Sequence, residues 1–155
     1  MNDGKNIAMK ENNLTTQLAY LGTIPFIFGA LCIALGYKQL LFINDIVQMV
    51  NSYGLVIVVF MAGIHWGNYL SDDRCRSINL LLLSNIVTLL SWFAFLLMPT
   101  KFAVLVYCLA FSFLLFVDSK LLSRDVISRS YFKLRLIITS IVILCLLLVS
   151  YNLFK

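Results

Sequence analysis

A chain of 155 residues that is 61% hydrophobic and 12% charged, with a mean hydropathy of +0.94, lies far from the soluble average of about 45–50% apolar and about 25% charged. Its length suits one compact bundle rather than several domains, and two prolines with seven glycines exclude low-complexity and linker classes. A formal charge of +5 would suggest nucleic acid in a soluble protein, but here the basic residues flank apolar runs, so the sequence excludes nucleic-acid binding and names the lipid bilayer as the first partner.

Residues 1–13 carry Asp3 and Glu11 among Lys5 and Lys10, with no arginine, and fit neither a mitochondrial presequence nor a cleavable signal. They read as a short cytoplasmic tail on a protein of the bacterial cytoplasmic (inner) membrane. Residues 14–155 read as a single all-α domain, a polytopic bundle of five transmembrane helices. Each span needs about 20 mostly apolar residues to cross about 30 Å of hydrocarbon.

The first span runs from about Leu18 to Tyr37. Gly22, Gly29 and Gly36 recur every seven residues there and predict a smooth packing stripe. Pro25 lacks an N–H, so a carbonyl one turn earlier, around Leu21, is freed for a buried donor, with His65 as candidate. The connection from Lys38 to Asn51 is too apolar for a plain loop. A short interfacial helix capped by Asn44 or Asp45 is the preferred reading, against an early start of the second span.

The second span, about Ser52 to Leu70, holds the only histidine of the chain, set in Gly63-Ile64-His65-Trp66-Gly67. An imidazole there needs a polar partner, because hydrocarbon offers none. Gly63 and Gly67 form a G-x-x-x-G pair, expected at a helix seam inside the bundle and possible as a dimer contact. The third span, about Ile78 to Met98, carries a hydroxyl stripe of Ser84, Thr88 and Ser91 beside Asn85, read as helix packing rather than a solute path. Tyr107, Ser112, Thr139 and Ser140 read the same way. Only Pro99, Thr100 and Lys101 separate it from the fourth span, about Phe102 to Val117, so those two form a hairpin. The fifth runs from about Leu134 to Phe154.

Lysine and arginine set the orientation. One side collects Lys5, Lys10, Arg74, Arg76, Lys120, Arg124, Arg129, Lys133 and Arg135, whereas the other has Lys38, Lys101 and Lys155. Nine against three places the N-terminus in the cytoplasm and the C-terminus outside. His65 then lies about 7.5 Å inside the cytoplasmic end of its span. Asn68 is one turn nearer that end, and Asp118 and Arg135 close the fourth span and open the fifth on the same side. These four polar residues form the candidate cluster. In one reading Asp118 and Arg135 merely tie two helices together while His65 bonds a neighbouring carbonyl or hydroxyl. In the other, the group forms an inward-facing pocket or proton relay.

No nucleophile elbow, P-loop or H-E-x-x-H occurs, so no catalytic residue is assigned and an enzyme is not expected. One histidine and four scattered cysteines, Cys32, Cys75, Cys108 and Cys145, predict no metal, no cofactor and no disulfide. A membrane enzyme acting through Cys75 or His65 is the least supported class.

Several segments together resemble a known family. Leu21-Gly22-Thr23-Ile24-Pro25-Phe26 is similar to its first-helix signature, and Tyr53-Gly54, Phe60 and Gly63 to Gly67 to its second-helix core. Trp92, Asp118, Tyr131-Phe132 and Leu134-Arg135-Leu136 with Thr139 resemble its later landmarks, although Tyr131 stands where a tryptophan is expected. The family is the membrane domain of unknown function 3429, with animal relatives that include transmembrane protein 69. The resemblance spans about Leu18 to Leu148 and implies one membrane module but no substrate. The function expected first is a non-enzymatic scaffold or assembly protein with a membrane-protein partner or a second copy of itself. The alternative is an oligomeric transport or small-ligand-binding module built on His65, Asp118 and Arg135.

Overall fold

The computed structural model describes residues 14–40, 43–72 and 79–155. The expectations for the N-terminal tail, for Arg74, Arg76 and for Cys75 lie outside them. Among the described residues, five helices are long and apolar enough to cross a membrane: α1 (Leu14–Ala34), α2 (Ile46–Ser71), α3 (Leu80–Leu97), α4 (Thr100–Leu122) and α5 (Arg129–Phe154). The described residues contain no strand, only an isolated bridge between Leu40 and Ile43.

Local chemistry starts and stops each helix. In α1 the ladder breaks at Gly22 and Thr23, where the Thr23 hydroxyl and amide both donate to the Tyr20 carbonyl. Pro25 then sits in the first turn of the resumed helix Ile24–Ala34, where its missing N–H costs nothing. Gly36, at φ 84°, ends α1 in the left-handed conformation. The Tyr37 amide reaches back to the Cys32 carbonyl and the Gly36 amide to that of Ile33, a Schellman turn.

Asp45 caps α2 by accepting from the Gln48 amide at 3.0 Å. The described part of the 38–51 connection therefore holds no separate interfacial helix: Leu40 and Ile43 pair in an isolated antiparallel bridge, and the second span begins early. Its 26 residues rise about 39 Å, more than the hydrocarbon thickness, and a helix of that excess tilts or projects. Asn79 and Ser128 cap α3 and α5 in the same way as Asp45 caps α2. Pro99 opens α4 directly after α3 ends, giving the expected hairpin.

Helix α4 is the hub, with half of its most apolar window buried against a third or less for the others. It packs on α2, α3 and α5, while α1 leans on α2 and α5. Most of the core is one cluster around Phe26, Val58, Tyr107, Phe111, Leu114 and Leu146. A smaller one, Leu80, Val117 and Leu121, closes the end near the α4–α5 turn.

Within the larger cluster, the Tyr107 hydroxyl donates to Asn51 Oδ1 at 3.0 Å and so ties α4 to α2. Gly54 makes room for that ring, since a Cβ there would lie 2.9 Å from Tyr107 Cδ2. The expected glycine stripe of α1 splits into separate tasks. Gly29 lies against Val50 and Met49 of α2 so closely that a Cβ would collide with Val50, whereas Gly36 is the helix stop and borders open space.

Candidate functional site

Three helices bring one ionisable residue each to a single point. Asp118 sits between Leu114 and Leu121 on the buried face of α4, Arg135 is one turn before Thr139 on that of α5, and His65 follows Ala62 on that of α2. The Asp118 carboxylate bridges the other two. Its Oδ1 accepts from His65 Nε2 at 2.7 Å and its Oδ2 from Arg135 Nε at 2.9 Å. All three are buried: 3% of His65, 2% of Asp118 and 6% of Arg135 remain exposed.

Burial of charge on this scale is tolerated only when it is paired and hydrogen-bonded, and here both carboxylate oxygens are engaged. With Asp118 ionised against Arg135, the Nε2 nitrogen of His65 carries the proton it donates, a tautomer assigned from this contact. The group joins α2, α4 and α5 about six residues, or about 9 Å, from the end of α2 at Ser71.

Asn68 does not join it. Its side chain is half-buried, and its backbone carbonyl accepts from the Asp72 amide and the Ser71 hydroxyl. His65 is turned to Asp118 and not to the carbonyl around Leu21 expected for it, and the neighbouring Gly22 carbonyl accepts from the Tyr53 hydroxyl at 3.0 Å. Gly63, Trp66 and Gly67, expected at a seam inside the bundle, lie on the outward face of α2. A Cβ on either glycine would meet nothing within 4 Å.

Successive residues on a helix turn by about 100°, so positions 63 and 67 stand opposite position 65. The histidine and the glycines cannot both face in, and the polar group, which hydrocarbon penalises, takes the inside. The hydroxyls of Ser84, Ser112 and Ser140 bond back to their own helices. Ser91 Oγ is buried with no hydrogen-bond partner among the described residues. Cys32 and Cys108 are buried thiols and Cys145 is half-buried. Among the described residues no group of His, Cys, Asp and Glu is placed to hold a metal ion.

Two features go beyond what the sequence led one to expect. One is the partner of Tyr107, whose hydroxyl, expected in helix packing, is taken by Asn51. The other is a cavity of about 380 Å³ between α1, α2 and α5, floored by Phe111 of α4. Its wall is largely apolar, with Thr15 of α1 and Tyr131, Arg135 and Thr139 of α5 as its polar side chains. The Nη1 of Arg135 rests on the thioether of Met61, a weak acceptor that also lines the cavity. Arg135 is thus at once a member of the buried ion pair and part of the cavity surface.

A family model described as a protein of unknown function (DUF3429) matches residues 12–151. No curated protein and no solved structure matches the chain.

Proposed function

The chain belongs to the DUF3429 family, and we propose that it is a membrane-embedded module that binds a small ligand taken from the bilayer. The observation that carries this reading is the double position of Arg135, paired with Asp118 on one side and lining an apolar cavity on the other. Intramembrane ionisable residues that face such a space mark ligand or ion pathways by default. His65 and Asp118 serve as positioning residues: through the bridging carboxylate they fix where the guanidinium stands.

The test uses protein purified in mild detergent and analysed by native mass spectrometry. A non-protein mass that stays bound to the wild type, and falls away in Ala19→Trp, which puts a bulky ring on the α1 wall of the cavity, supports the reading. Ligand-free wild-type protein that gives no thermal shift with a bilayer lipid extract overturns it.

A second reading, the scaffold, draws on the outward face of α2, where Gly63 and Gly67 leave a smooth strip beside Trp66. Helices in lipid associate by close packing over small residues, which suits a partner helix or a second copy. Cysteines at Gly63 and Gly67 that cross-link to nothing in native membranes would remove it. The proposal also keeps the bacterial cytoplasmic membrane and the inside N-terminus, on the charge bias of the loops. Alkaline phosphatase fused after Lys155 is then active, and green fluorescent protein at the same place dark.

A further inference from the structure

The cavity has the dimensions and polarity of a lipid's place in one leaflet. It runs along α5 from Tyr131 to Val142, eleven residues or about 16 Å, which is half the thickness of the hydrocarbon core. The end with Tyr131 and Arg135 lies at the helix terminus, where a leaflet's headgroups are, and the end with Phe26, Phe111 and Val142 lies toward mid-membrane and is largely apolar. A volume of about 380 Å³ is toward the small end of the roughly 300–1,000 Å³ of ligand pockets, so it admits one chain rather than a two-chain phospholipid.

The head is specified by the guanidinium. Arg135 has five N–H groups; Asp118 takes the one on Nε and Met61 a weak share of Nη1. The hydrogen bonds that hold Arg135 thus use Nε and one Nη1 hydrogen, and the guanidinium stands at the cavity lining. A buried guanidinium on a cavity wall calls for an acceptor, and its planar pair of Nη groups matches two oxygens of a carboxylate or phosphate.

We infer that the occupant is a single-chain amphiphile with an oxyanion head, its tail along Phe26, Ile57 and Val142 and its head on the Nη side of Arg135. Asp118 keeps the Nε side, so the oxyanion adds to the ion pair and does not displace it. This rests on the ligand-binding reading above and narrows its chemistry.

The test titrates wild-type protein in neutral-detergent micelles with cis-parinaric acid, an intrinsically fluorescent long-chain carboxylate, and then competes it with hexadecanoic acid, hexadecyl phosphate and hexadecanol. Saturable binding at one site per chain is expected, with either oxyanion competing at least tenfold better than the alcohol; whichever of the two is stronger assigns the head. Arg135→Lys, which keeps the charge but lacks the planar fork, weakens binding at least fivefold while Ala19→Trp abolishes it. Competition by the alcohol as strong as by both oxyanions overturns the oxyanion head but leaves the ligand-binding reading standing. Absence of saturable binding of every probe overturns the inference, and the wider reading fails only if the native protein also carries no other bilayer molecule. Where Arg135→Lys does not accumulate, unchanged binding in Ala19→Trp still refutes the site.

Discussion

Helix α2 is fastened to α4 twice, and the two fastenings differ in kind. Toward its N-terminus a neutral hydrogen bond from Tyr107 to Asn51 sits beside Gly54 in close packing, with the Tyr53 and Phe26 rings 5.0 Å apart alongside. Toward its C-terminus an ionic group of three residues does the same joining, next to a cavity. The first joins these helices with a neutral pair set in close packing. An ion pair gives weak evidence of stability, since its desolvation cost rivals its attraction. Stability is therefore a weak account of the charge at the second place, and the cavity beside it is the more informative neighbour.

The comparison is broken most severely at Asp118. Asp118→Ala leaves Arg135 buried without a counter-ion, and a loss of about 3–5 kcal/mol is expected, read as a large fall in melting temperature or failure to accumulate in the membrane. Replacing the whole group, His65→Phe with Asp118→Leu and Arg135→Met, sharpens the point: most of that loss is recovered, while cis-parinaric acid binding is not. A triple variant as unstable as Asp118→Ala would show that the charges hold the fold.

At the neutral fastening, Tyr107→Phe strands the Asn51 carbonyl group in the core and costs about 1–3 kcal/mol, measured by the same thermal unfolding, with ligand binding unchanged. The smallest effect belongs to the outward face. A Cβ at position 63 meets nothing within 4 Å on this outward face, so Gly63→Leu is expected to shift monomer stability by no more than about 0.5 kcal/mol. If it lowers association in a two-hybrid or cross-linking assay, the scaffold reading gains a specific contact.

The five spans, the hairpin at Pro99 and the meeting of His65, Asp118 and Arg135 are legible in the sequence, because hydropathy sets depth and equal depth brings intramembrane charges together. Rotation about each helix axis is less legible. Asn68 shares the depth of the cluster but is not one of its hydrogen-bond partners, and Gly63 with Gly67 announce a smooth strip without announcing which way it looks. Their spacing from His65 nevertheless contained the answer, since residues two apart oppose each other on a helix.

The Asn51 tie escaped because a span begun at Ser52 leaves Asn51 in a loop, whereas the Asp45 cap starts the helix earlier. The cavity is a property of how α1, α2 and α5 fail to fill the space between them, and no single segment encodes it.

The position of the shared carboxylate also bears on how the chain enters a membrane. Asp118 and Arg135 lie seventeen residues apart on consecutive helices. Inserted alone, α4 would carry an unmatched acid near its end and α5 an unmatched base near its start, and a charge at depth costs up to about 2.5–3.5 kcal/mol at the translocon. Delivered together as a hairpin, the two cancel before any other contact is made, and His65 needs only to arrive beside a pair already neutral. One acidic side chain thus gives the last two helices an energetic reason to enter the bilayer as a pair.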